Sequence, residues 1–99
     1  MYSKENIQVI KKKINLLQKY QYKAISKELT DKIFIKKSQL LMDLAQFFYY
    51  SKKYNKAENI YNEIIYEIKN QNGTIKFIEL YKKCYIKQLE SLKIGRAHV

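Results

Sequence analysis

The stretches Leu41-Met42-Asp43-Leu44-Ala45-Gln46-Phe47-Phe48 and Lys53-Tyr54-Asn55-Lys56-Ala57-Glu58-Asn59-Ile60-Tyr61 decide the fold. In the second, Ala57, Ile60 and Tyr61 begin a series continued by Ile64, Ile65 and Ile68. Intervals of three and four residues gather side chains on one face of an α-helix. In the first, Leu41, Leu44 and Phe48 do the same, and Leu40 and Phe47 widen that face. Ser51-Lys52-Lys53 between them is a short polar turn. The pattern predicts helices over residues 33–51 and 54–70, and helices joined so tightly pack antiparallel.

Reading outward, Ile7, Ile10, Ile14 and Leu17 predict a first amphipathic helix over residues 5–19. Ala24, Ile25 and Leu29 predict a second, shorter one over residues 21–29, with a soft boundary at Thr30-Asp31. Downstream, Asn70-Gln71-Asn72-Gly73-Thr74 is the clearest punctuation in the chain. Gly73 suits the left-handed position after a helix and Thr74 suits an N-cap. A fifth helix follows over residues 75–92, with Ile78, Tyr81, Tyr85, Leu89 and Leu92 on one face. The expected fold is all-α, with about five helices in stacked antiparallel hairpins and no separate domain or linker over residues 1–93.

Composition agrees. The 99 residues include no Pro and two Gly, too few turn formers for an all-β domain, and 46% of them are apolar. No apolar run spans a bilayer, the N-terminus has no apolar leader segment, and Cys84 is the single cysteine. A reducing, cytoplasmic setting is expected. The net charge is +11, but Lys, Ile, Asn and Tyr supply about half the chain. These are the amino acids of A/T-rich codons, which place lysine on any surface. A single Arg among the basic residues argues against a dedicated phosphate or base reader.

The end of the chain breaks this composition. Ile94-Gly95-Arg96-Ala97-His98-Val99 holds the only Arg, the only His and one of the two Gly. It back-translates to the start of a common sequencing-library adapter. Residues 94–99 are therefore expected to be a non-native tail, with the natural protein continuing past Leu92. On that expectation His98 is no ligand or base. The last helix would lack its neighbour, leaving an apolar strip along Tyr81, Tyr85 and Leu89 that favours self-association or marginal stability.

Residues 38–71 resemble one unit of the tetratricopeptide repeat family. Leu41, Leu44, Ala45 and Phe48 stand at the spacings of that family's first helix, and Tyr54, Ala57, Tyr61 and Ile64 at those of its second. Small residues at Ala45 and Ala57 let two helices approach, and the aromatics fill the space around them. The family's turn Gly is Lys52 here, and its closing Pro is Lys69. Residues 5–34 form a degenerate unit in which Tyr22, Ile25 and Leu29 align with Tyr54, Ala57 and Tyr61. Residues 75–92 form an incomplete one. The resemblance implies an α-solenoid fragment of about two and a half units, since such units bury their faces by stacking.

Inventory speaks against chemistry. Cys84 has no second Cys beside it, and its apolar neighbours predict a packed core thiol. Glu58, Glu63, Glu67, Glu79 and Glu90 lie among lysines as solvated pairs. No Gly-rich phosphate loop exists, and neither a metal nor a cofactor is expected. The segment Ala24-Ile25-Ser26-Lys27-Glu28-Leu29 resembles the first helix of a helix-turn-helix. The positions that should then pack hold Thr30, Asp31 and Lys36, which argues against it. The basic helix over residues 5–19 lacks the Trp and Phe of a membrane-surface helix.

The family's concave surface maps onto Gln39, Met42, Gln46, Tyr49 and Tyr50. Tyr and Met there offer adaptable contact area for a peptide or helix. Members that grip a C-terminal carboxylate use Lys, Arg and Asn on this surface, so that ligand is not expected. Tyr49 and Tyr50 serve either a partner or burial against a neighbouring repeat. The expected function is protein or peptide binding as a scaffold or sensor module of a larger, bacterial regulatory or signalling protein, without enzymatic activity. The alternative is a basic helical protein associated with nucleic acid.

Overall fold

A computed structural model describes residues 4–23, 26–71 and 75–97. Every regular element among them is an α-helix: α1 (Lys4–Lys23), α2 (Lys27–Tyr50), α3 (Tyr54–Asn70) and α4 (Ile78–Ala97). Among the described residues the all-α expectation holds, with four helices rather than about five.

The missing helix is explained by Ser26. Its Oγ accepts from the Leu29 N–H at 3.1 Å, capping the start of α2. The Thr30 N–H and Oγ1 both donate to the Ser26 carbonyl, at 3.1 and 2.9 Å. Thr30-Asp31 therefore lies inside the first turns of α2 and breaks nothing. Residues 21–23 finish α1 and residues 27–29 open α2, so the separate helix over residues 21–29 does not form. Ala24 and Ile25 lie outside the described residues, as does the side chain of Tyr22. Leu29, expected to pack, is exposed.

The chain divides into two compact units, Met1–Leu44 and Ala45–Val99, with the division inside α2. In the first, α1 buries Ile7 and Ile14, two of the four positions its periodicity predicts, while Ile10 and Leu17 are half-buried. On α2, Ile33, Phe34 and Leu44 are buried, and Phe34 has no exposure at all. Lys37 is buried too, its ammonium donating to Gln21 Oε1 at 2.9 Å. A buried cation needs such a partner, because losing water without a replacement is costly.

In the second unit, α3 packs against α4. The inner face of α3 is Ala57, Tyr61, Ile64, Ile65 and Ile68, five of the six positions the periodicity predicts; Ile60 is half-buried. Burying each Ile fully is worth about 1.5–3 kcal/mol. The matching side of α4 is Leu80, Cys84 and Ser91, preceded by Phe77. Gln88 Nε2 donates to Asn62 Oδ1 between the two helices. The stripe singled out in the sequence lies next to this one. Ile78, Tyr85 and Leu89 are exposed, Tyr81 is half-buried, and the rings of Tyr81 and Tyr85 stack at 6.1 Å. The strip along Tyr85 and Leu89 is thus open, at 46% and 49% exposure.

Two boundaries of α4 differ from expectation. Residues 75–77 form a turn, and the first helical bond runs from the Tyr81 N–H to the Phe77 carbonyl at 2.8 Å. At the other end the helical backbone continues to Ala97, through residues that composition sets apart as a tail. Gly73 and Thr74, read as a cap and an N-cap, lie outside the described residues; α3 ends with the Gln71 N–H on the carbonyls of Glu67 and Lys69.

Candidate functional site

The site is built around the turn that ends α2. Lys52 has a φ of 64°, in the left-handed region that favours glycine. The Lys53 N–H donates to the Phe48 carbonyl at 2.8 Å and the Lys52 N–H to the Tyr49 carbonyl at 3.0 Å. This pair of bonds is a Schellman motif, which satisfies the last carbonyls of a helix. It stops α2 at Tyr50 and redirects the chain into α3. Lys53, at the N-cap of α3, supplies no side-chain bond.

The turn gathers tyrosines. The Tyr49 ring meets Tyr50 edge-on at 5.6 Å and Tyr54 edge-on at 5.5 Å. Phe47 and Phe48 are 5.5 Å apart, and Lys56 Nζ lies 5.4 Å from the Phe48 centroid. Edge-on rings bring the positive rim of one to the negative face of another, a favourable arrangement for aromatic pairs. Gln46 Nε2 donates to Tyr50 Oη at 3.4 Å along the same side of α2.

Beside the cluster is a cleft of about 250 Å³, lined by Gln46, Tyr49, Tyr50, Tyr61, Lys87, Glu90 and Ser91. Lys87 Nζ and Glu90 Oε2 are 3.5 Å apart and both half-exposed, so they form a neutral pair. Ser91 is 2% exposed, and its Oγ has no hydrogen-bond partner. The cleft therefore combines aromatic walls and a neutral charged pair, and one of its lining residues, Ser91, carries a buried hydroxyl left unsatisfied.

Three of the five residues mapped onto the concave surface, Gln46, Tyr49 and Tyr50, line this cleft. Tyr49 is half-buried and Tyr50 is exposed. Gln39 is exposed and Met42 half-buried; both belong to the first unit and are not among the lining residues. Of the residues read as packing positions, Leu44, Ala45, Ala57, Tyr61 and Ile64 are buried, and Leu41, Phe48 and Tyr54 half-buried. Sequence reading missed Lys87, Glu90 and Ser91 as site residues. Their spacing places them on one side of α4, but nothing local sets them apart from the helix's other polar residues.

Cys84 is fully buried on α4, and desolvation pushes its thiol from 9.0 up to about 12. A thiol held protonated in this way is a packing group and a poor nucleophile. Among the described residues, no three His, Cys, Asp or Glu side chains gather as a metal site would need. None of the described helices is long and apolar enough to cross a membrane. The unbroken course of α2 through Thr30 and Asp31 also removes the turn that a helix-turn-helix would require there. No family model, no curated protein and no solved structure matches the chain.

Proposed function

We propose that the chain is a tetratricopeptide-type helical module that binds a protein or peptide through the surface carrying Gln46, Tyr49 and Tyr50. The observation that carries this reading is the cleft those residues line. Exposed and half-buried tyrosines beside an aromatic cluster give amphipathic contact area for a partner. Two further features support the repeat reading. Ala45 and Ala57, the small residues of the family pattern, are both 0% exposed. The position of the family's turn Gly is Lys52, whose backbone takes the glycine-type conformation although the residue is lysine.

The role is that of a non-enzymatic, cytoplasmic scaffold or sensor within a larger bacterial regulatory or signalling protein; the context follows from the family resemblance alone. Selection of a displayed peptide library on the 99-residue chain tests the binding role. Peptides should be recovered whose binding shifts the amide resonances of residues 46, 49 and 50 and is lost in Tyr49→Ala. An empty selection, or peptides indifferent to all three residues, would remove the reading.

A further inference from the structure

We infer that the cleft between Tyr49, Tyr50, Tyr61 and Ser91 is the anchor pocket for one polar-tipped aromatic side chain, a tyrosine or tryptophan, of the bound peptide. The inference rests on the peptide-binding reading and names the group that reading leaves open.

Size comes first. About 250 Å³ holds one large side chain and little more. The walls come second. Tyr49, Tyr50 and the largely buried Tyr61 are among the lining residues, and an aromatic guest stacks or sits edge-on against such rings. Charge comes third. Lys87 and Glu90 neutralise each other at 3.5 Å, so the pocket has no net charge to attract a phosphate, a carboxylate or an ammonium. The decisive feature is Ser91. A buried hydroxyl without a partner is an exception among folded proteins and calls for an explanation. A hydroxyl is both donor and acceptor, and a change of χ1 to another staggered well re-aims it. The phenol of a tyrosine or the N–H of an indole would then satisfy it, whereas phenylalanine would leave it orphaned.

The chain contains no Trp, so the indole emission of N-acetyltryptophanamide reports its own binding. N-acetyltyrosinamide and N-acetylphenylalaninamide compete against it. The tryptophan and tyrosine amides are expected to bind about five- to tenfold more tightly than the phenylalanine amide, the factor one net hydrogen bond supplies. Ser91→Ala should erase that preference, and Tyr49→Ala should weaken all three amides. Equal binding of the three amides, no binding, or a preference that survives in Ser91→Ala overturns the pocket. Selected peptides that engage Tyr49 but lack Tyr or Trp would also overturn it, leaving the scaffold reading intact. Amide binding without any peptide binding would do the reverse.

Discussion

Lys52 occupies a conformation that costs an L-residue about 1–2 kcal/mol relative to glycine. Lys52→Gly removes that strain and loses part of the gain to a freer unfolded chain. The expected net stabilisation is about 1 kcal/mol, read from urea unfolding. A destabilised variant would mean that the lysine side chain contributes contacts outweighing the strain. Ser38 is buried at 1% exposure with no partner for its Oγ. Replacing it with alanine removes an unsatisfied group and improves helix propensity, so Ser38→Ala should also stabilise, by about 1 kcal/mol. A loss of stability would reveal a hydrogen bond to that hydroxyl in solution. Cys84 makes stability depend on pH. The unfolded thiol ionises at 9.0 and the folded one at about 12, so above pH 9 unfolding releases a proton. This group's contribution is complete below pH 9 and falls as pH rises toward about 12, by about 1.4 kcal/mol per unit. Denaturation curves of the parent and Cys84→Ala on both sides of pH 9 measure the difference in slope. Parallel pH profiles would show that burial does not perturb the thiol.

The elements test which face of each helix is inside. On α4, two stripes obey helical spacing, one through Leu80, Cys84 and Ser91, preceded by Phe77 in the turn, and one through Ile78, Tyr81, Tyr85 and Leu89. The second carries the larger side chains and no residue as small as Cys84 or Ser91. Packing takes the first, because Cys84 and Ser91 are small and allow α4 to approach α3 closely. Leu80→Ala should cost about 2–5 kcal/mol, the range for a buried leucine, while Leu89→Ala should change stability by about 0.5 kcal/mol or less. Thermal melts of the two variants at low concentration decide it; reversed costs would put the other stripe inside. The α2 helix, at 24 residues, is longer than one helix of a 34-residue repeat pair allows. Its length follows from Ser26, which starts it, and from Lys52, which stops it. The lower limit was hidden because Thr30-Asp31 looks more like a boundary than Ala24-Ile25-Ser26 does.

For the whole molecule, the open strip and the net charge of +11 act in opposite directions. Ile86 is exposed beside Tyr85 and Leu89, so α4 offers an apolar surface to another chain. Repulsion between like-charged copies opposes association, and salt screens it. Sedimentation velocity should therefore show self-association that grows with protein concentration and with salt, and Leu89→Lys should suppress it. A strict monomer at every salt concentration would leave the strip without that role. Polyanion binding should show the opposite dependence and vanish near physiological ionic strength, since scattered lysines supply only counterion release. Binding that survives there would favour the nucleic-acid alternative.

Much of this was legible in the residues alone. Periodicity identified the buried faces of α1 and α3, the absence of Pro and the scarcity of Gly excluded sheets, and the lone buried cysteine was readable as a core thiol, because each depends on neighbours within a few positions of the chain. Gln46, Tyr49 and Tyr50 came from the family resemblance and not from local periodicity, and they line one cleft. The tertiary structure alone decided that α4 turns its small residues inward, that lysine accepts the left-handed turn, and that Ser91 is left unpaired beside three tyrosines. Those outcomes depend on which helix lies opposite, and distance in space between residues such as Tyr49 and Ser91 is not written in their distance along the chain.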